Sequence, residues 1–143
     1  MKTLQQVLNE KTHQGIVSIS PEKTVYEALV ILAENNIGAL AVMQDGKLVG
    51  IFSERDYARH IELSNKQSKT TLVKEVMSTN LITAKPDDLL DSAMNTINNK
   101  RVRHLPVLNG DTMIGMLSVG DLVKETISYQ ESLIKQLESY ILS

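Results

Sequence analysis

A gapless internal repeat constrains this chain more than any other feature. Residues 16–61 align with residues 81–126 at a constant offset of 65. Pro21 meets Pro86, Ala28 meets Ala93, Leu40 meets Leu105, Val42 meets Val107, Gly50 meets Gly115, Ser53 meets Ser118 and Asp56 meets Asp121. Seven identities in 46 positions are few, but the apolar pattern between them matches and three fall in one short motif. The segments just upstream also agree, Leu4-Gln5-Gln6-Val7-Leu8 with Val73-Lys74-Glu75-Val76-Met77. A unit of this size is too small for a comfortable core of its own, and two units packed sheet to sheet would cover each other's apolar faces. The full 143 residues suffice to bury roughly two-thirds of the unfolded surface without a staple.

Each copy follows one pattern. Ile16–Ile19 and Leu81–Ala84 are short apolar runs, halted by Pro after one further residue, and read as brief strands. In the next segment Val25, Ala28, Leu29 and Leu32 take one helix face, as do Leu89, Leu90, Ala93, Met94 and Ile97 in the second copy. Ala39–Met43 reads as a buried strand, Asp45-Gly46 as a tight hairpin turn and Leu48–Phe52 as the returning strand. Leu105–Leu108, Asn109-Gly110-Asp111 and Met113–Leu117 repeat the hairpin. A helix follows each, from about Glu54 and Val119. The expected fold is α/β (α+β): two β-α-β-β-α repeats related by a pseudo-two-fold axis, plus a long C-terminal helix. The polar run 63–71 reads as a linker.

The chemistry-bearing motif is G-h-h-S-x-x-D, Gly50–Asp56 and Gly115–Asp121, placed where a strand hands over to a helix. Two roles fit it. Ser-x-x-Asp approaches a capping box, in which the hydroxyl accepts from an early helix N–H. A glycine three residues earlier, inside a strand, points to something approaching the backbone closely. In that second role the helix N-terminus suits phosphate and the Ser hydroxyl donates to a ligand oxygen. An Asp in the first turn would repel phosphate, so it is assigned to the two hydroxyls of a ribose. Ser18, Ile19, Thr83 and Ala84, with the starts of the second strands, would form an apolar slot for adenine.

With these residues in place the sequence resembles a tandem CBS (cystathionine β-synthase) domain pair, or Bateman module. The resemblance covers roughly residues 1–128. Ser53–Arg59, Met77-Ser78, Arg103–Val107, Ser118–Val123 and Gln136–Ile141 are similar to a stand-alone bacterial subgroup. It implies residues 1–62 as the first motif with an N-terminal helix, 63–71 as the linker, 72–128 as the second motif and 129–143 as a C-terminal helical extension. It further implies a non-enzymatic sensor or regulatory module that binds an adenosine ligand in clefts between the motifs: AMP or NAD(H) first, ATP or S-adenosylmethionine next. The family's ribose carboxylates map onto Asp56 and Asp121, its hydroxyl contacts onto Ser53 and Ser118, and its adenine-side residues near Ser18, Ile19, Thr83 and Ala84. Copy one has Gly38-Ala39 where copy two has Arg103-His104, so the two clefts should be inequivalent. The competing expectation is a ligand-free structural or interaction module whose motifs are only caps.

Arg55, Arg103 and His104 are phosphate candidates, since a guanidinium grips phosphate bidentately. His13, His60 and His104 share no metal-ligand spacing, and the chain has no cysteine, so neither a metal site nor a thiol nucleophile is expected. No phosphate-loop or hydrolase-elbow motif is present. A net charge of −2, one Phe, four Tyr and no Trp argue against a nucleic-acid binder. No apolar stretch reaches membrane length, and Met1–Gln6 lacks the apolar core of a signal peptide, so a cytoplasmic protein is expected. Leu122, Leu133, Leu137, Tyr140 and Ile141 form a partial stripe on the tail, taken as the seam of a homodimer. An unidentified regulated protein would be the further partner.

Overall fold

The computed structural model describes residues 1–11 and 15–142, so His13 lies outside the described residues. The elements are α1 (Leu4–Asn9), β1 (Ser18–Ile19), α2 (Val25–Asn35), β2 (Ala39–Gln44), β3 (Lys47–Ser53), α3 (Glu54–Tyr57), α4 (Val73–Val76), α5 (Leu90–Lys100), β4 (His104–Asn109), β5 (Thr112–Ser118) and α6 (Val119–Leu142). The offset of 65 holds for both ends of α2 and α5, β2 and β4, and β3 and β5. It extends to the helix ends, where Asn36 and Arg101 both adopt the left-handed conformation, at φ 51° and 53°.

Local chemistry explains the boundaries. Thr24 caps α2, its hydroxyl accepting from Glu27 N at 3.1 Å. Val25, Ala28 and Leu32 form the buried face of α2, and Leu90, Ala93 and Ile97 that of α5. Leu89, expected on that face, precedes α5 as its cap residue and is exposed. The β2–β3 turn has positive φ at both Asp45 and Gly46, which the twist of a two-residue hairpin favours. After α3 the chain widens into a π-helical turn over Ala58–Glu62, with Leu63 N donating to Ala58 O five residues back.

One strand expectation needs correction. Leu81–Ala84 is not a strand: only Ala84 bridges, in parallel, to Val107, at the position equivalent to the Ile19–Val42 pair. In copy one Ala41 N donates to Val17 O to continue the ladder, whereas the equivalent residue in copy two is Pro106, which has no N–H to give. The polar segment 63–71, read as the linker, is bonded to the start of α2. Its Thr71 and Ser68 carbonyls accept from Val25 N and Tyr26 N, supplying partners for the open N-terminal amides of α2, and Lys69 lies over the Tyr26 ring.

The chain forms two compact units whose limits differ from the repeat boundaries. One comprises Met1–Gly15, Ile82–Gly110 and Ile114–Ser143; the other comprises Ile16–Leu81 with Asp111–Met113. The core of the first gathers Leu4 and Val7 of α1 with Leu90, Leu105, Leu117 and Leu122. The core of the second gathers Val25, Leu32, Leu40 and Phe52 with Val73 and Val76 of α4. Each upstream helix therefore packs on the repeat it does not directly precede, and α1, expected with the first motif, belongs to the unit of the second. Lys2 bridges Glu10 and Glu125 in that unit. Of α6 only Leu122 is buried, and Ile127, Ile134, Leu137 and Ile141 are exposed.

Candidate functional site

Each compact unit assembles one set of the sequence-predicted residues. In the unit of the first repeat, β1 runs parallel to β2 with Ser18 beside Ala41, and β2 runs antiparallel to β3 with Ala39 beside Ser53. Ser18, Ile19, Ala39 and Ser53 thus lie on adjacent strands of one three-stranded sheet. Gly38 is held to the motif by its carbonyl, which accepts from Glu54 N at 3.0 Å. The other unit repeats that bond, Arg103 O accepting from Val119 N at 3.0 Å, so Arg103 and His104 stand at the start of β4 beside Ser118. Arg55, Arg103, Ser18 and Thr83 are exposed, while Ile19, Ala39 and Ala84 are buried.

At both motifs the Ser–Asp pair closes a reciprocal cap. Ser53 Oγ accepts from Asp56 N at 3.2 Å, and Asp56 Oδ2 accepts from Ser53 N at 2.9 Å. Ser118 Oγ accepts from Asp121 N at 3.1 Å, and Asp121 Oδ2 accepts from Ser118 N at 2.8 Å. Ser53 Oγ also lies 3.0 Å from Asp56 Oδ2 and donates to it. Among the described residues Asp56 Oδ1 takes no hydrogen bond, so half of that carboxylate is uncommitted.

The glycines meet the chain itself. A Cβ on Gly50 would stand 2.5 Å from Met77 Sδ and 3.1 Å from Ser78 O; one on Gly115 would stand 2.6 Å from Leu8 Cδ2. Met77 and Leu8 are the matched last residues of the two upstream segments. The close approach expected at these glycines is real, but the approaching group is the chain's own side chain, and no ligand is needed to explain it.

Asp121 has a partner that sequence reading missed. Lys11 Nζ lies 3.1 Å from its Oδ2 and donates to Met116 O at 2.8 Å. Burial favours the protonated acid, but the Ser118 N–H, the Lys11 ammonium and the Ser118 side chain together outweigh it and hold the Asp121 carboxyl below its ordinary value. Lys11 stands 110 positions before Asp121 and outside the repeat, so no spacing rule flags it.

Two concavities border residues of the unit that holds the first repeat. One of about 470 Å³ is lined by Ser18, Ile19, Ser20, Tyr26, Val30 and neighbours; another of about 340 Å³ includes Leu29, Ile37, Gly38 and Glu54. Neither is lined by Ser53 or Asp56. Among the described residues no group of three His, Cys, Asp or Glu is placed to hold a metal ion, and no helix is long and apolar enough to cross a membrane.

The family profile described as "CBS domain" matches residues 11–63 and 73–128, both copies of the repeat. The chain belongs to the CBS-domain family. It is 37% identical over 125 residues to the mitochondrial CBS domain-containing protein CBSX3 of Arabidopsis thaliana, covering 84% of this chain and 61% of that protein. It is similar to a CBS-domain crystal structure at 44% identity and a TM-score of 0.83, covering 88% of this chain and 98% of the other. The CBS domain pair of MJ0100, solved in complex with 5′-methylthioadenosine and S-adenosyl-L-methionine, shares the fold at 22% identity and a TM-score of 0.78, covering 90% and 98%. Two matched CBS domains, small sheets flanked by helices and the long α6 agree with the fold class expected from the repeat.

Proposed function

We propose that this CBS pair is a regulatory module that binds an adenosine ligand, AMP or NAD(H) foremost and ATP or S-adenosylmethionine next, at its two Ser–Asp motifs. Its output is a ligand-dependent change in module geometry that a regulated protein reads, and the ligand biases that geometry only through differential affinity for the two states. The observation that carries the reading is the same Ser–Asp turn, in both matched domains, beside the start of the neighbouring strand. The adenosine ligands of the MJ0100 pair support it. In this reading Asp56 and Asp121 accept from ribose hydroxyls, and Ser53 and Ser118 contact the same end. Arg55, Arg103 and His104 grip phosphate. Ser18, Ile19, Gly38, Ala39, Thr83 and Ala84 border the adenine. Asp56 can do this without dismantling its cap, because Oδ2 serves Ser53 and Oδ1 is uncommitted.

The test is a thermal-shift series on protein stripped of ligand, with AMP, ATP, NAD, NADH and S-adenosylmethionine. A ligand at 100 times its dissociation constant adds about 2.7 kcal/mol to the folded state. Absence of a shift with all five overturns the reading. A second reading, in which the motifs serve only as helix caps, is favoured by the closed caps and by the glycines' occupancy by Met77 and Leu8. Asp56→Ala and Asp121→Ala separate the two: under the first reading each weakens ligand response, under the second both lower stability and leave response unchanged.

A further inference from the structure

Both motifs close the same Ser–Asp cap, yet one of them also carries an internal cation. Asp121 Oδ2 receives two donors, Ser118 N–H at 2.8 Å and Lys11 Nζ at 3.1 Å, and Lys11 is anchored by a second bond to Met116 O at 2.8 Å. Both side chains are partly withdrawn from solvent, Lys11 to 29% and Asp121 to 25% exposure. Among the described residues Asp56 has no Lys, Arg or His within ion-pairing distance, and its Oδ2 serves Ser53 alone. A carboxylate whose charge is shared with an ammonium is a poorer acceptor for a neutral hydroxyl than one whose charge is unpaired. We propose that Lys11 sets the two motifs apart, tying Asp121 into an internal ion pair so that Asp56 is the stronger acceptor of the ligand's sugar hydroxyls.

The proposal rests on the adenosine-binding reading, and its test separates the failure of one from that of the other. Calorimetric titration with adenosine, which has the hydroxyls and no charge, should show a tighter site that Asp56→Ala removes and Asp121→Ala leaves. Lys11→Met should tighten the weaker site by about fivefold, the upper end for a partly exposed ion pair. The double variant with Asp121→Ala should erase that gain, and Lys11→Arg should behave as wild type. Titration with AMP tests the opposite role. If Lys11→Met weakens AMP binding, Lys11 is a phosphate grip and the proposal is overturned, as it is if both adenosine sites are unchanged. If no ligand binds any variant, the adenosine reading fails. The ion pair is then judged by the carbon-13 titration of the Asp121 carboxyl, which should move upward in Lys11→Met; no movement overturns it.

Discussion

Gly50 and Gly115 have ordinary backbone angles and are kept as glycine by what lies over them. At Gly115 the neighbour is the end of the Leu8 side chain, which can turn aside. At Gly50 it is Met77 together with the carbonyl of Ser78, whose backbone is fixed by reciprocal bonds with Ile51 at 3.0 and 2.9 Å. Gly50→Ala should therefore cost about 1–3 kcal/mol in urea unfolding, the usual range for an overfilled core, and Gly115→Ala less. Adding Leu8→Ala should remove most of the Gly115→Ala penalty in a double-mutant cycle. Asp121 makes a pH prediction of definite sign. Its folded-state carboxyl is held below the unfolded value, so the unfolded chain takes up the proton first as acid is added. The stabilisation is complete above about pH 4, the ordinary aspartate value, and is lost as pH falls through the lowered one. Urea unfolding between pH 6 and 2.5 should show a steeper acid loss for wild type than for Asp121→Asn. The Ser and Asp of both motifs were legible in the sequence because a strand-to-helix junction has a fixed spacing of donors. Lys11 was not, because ion pairs across 110 residues leave no local pattern.

The hairpins and the helices α2 and α5 could be read from periodicity and turn chemistry, and they fall where the pattern puts them. The counterpart of β1 in copy two vanished for a reason only pairing reveals: the ladder needs an N–H from the neighbouring strand, and Pro106 withholds it. Pro106→Ala should let a second residue pair with β4, seen as added amide-exchange protection at residue 106. The short helices were legible as matched segments but not as exchanged partners, since nothing local states which repeat an amphipathic helix will cover. The exchange predicts where damage spreads. Leu4 and Val73 are fully buried in different cores. Leu4→Ala, at about 2–5 kcal/mol for a buried leucine, should raise native-state exchange first in α5, β4 and β5. Val73→Ala should do so first in α2, β2 and β3. Exchange spreading to the repeat that directly follows each helix would contradict the assignment.

At the scale of the whole molecule, α6 continues well beyond Leu122, the only buried residue it contributes, and shows Ile127, Ile134, Leu137 and Ile141 to solvent, spaced seven, three and four apart along one side. We propose a homodimer sealed by this stripe, which would cover apolar side chains that a single chain leaves in water. Ile134→Glu with Leu137→Glu should convert a dimer to a monomer in sedimentation equilibrium; an unchanged mass would place the association elsewhere. The interrupted composition of the first unit also bears on how the chain is made. Residues 16–81 leave the ribosome as a block that holds everything its own core requires, with Val76 arriving last. Residues 1–10 emerge before that block and wait through it, because Leu90, Leu105 and Leu122, in whose core Leu4 sits, are translated only after the block is out. Folding during synthesis should therefore complete residues 16–81 before residues 1–10 find their place.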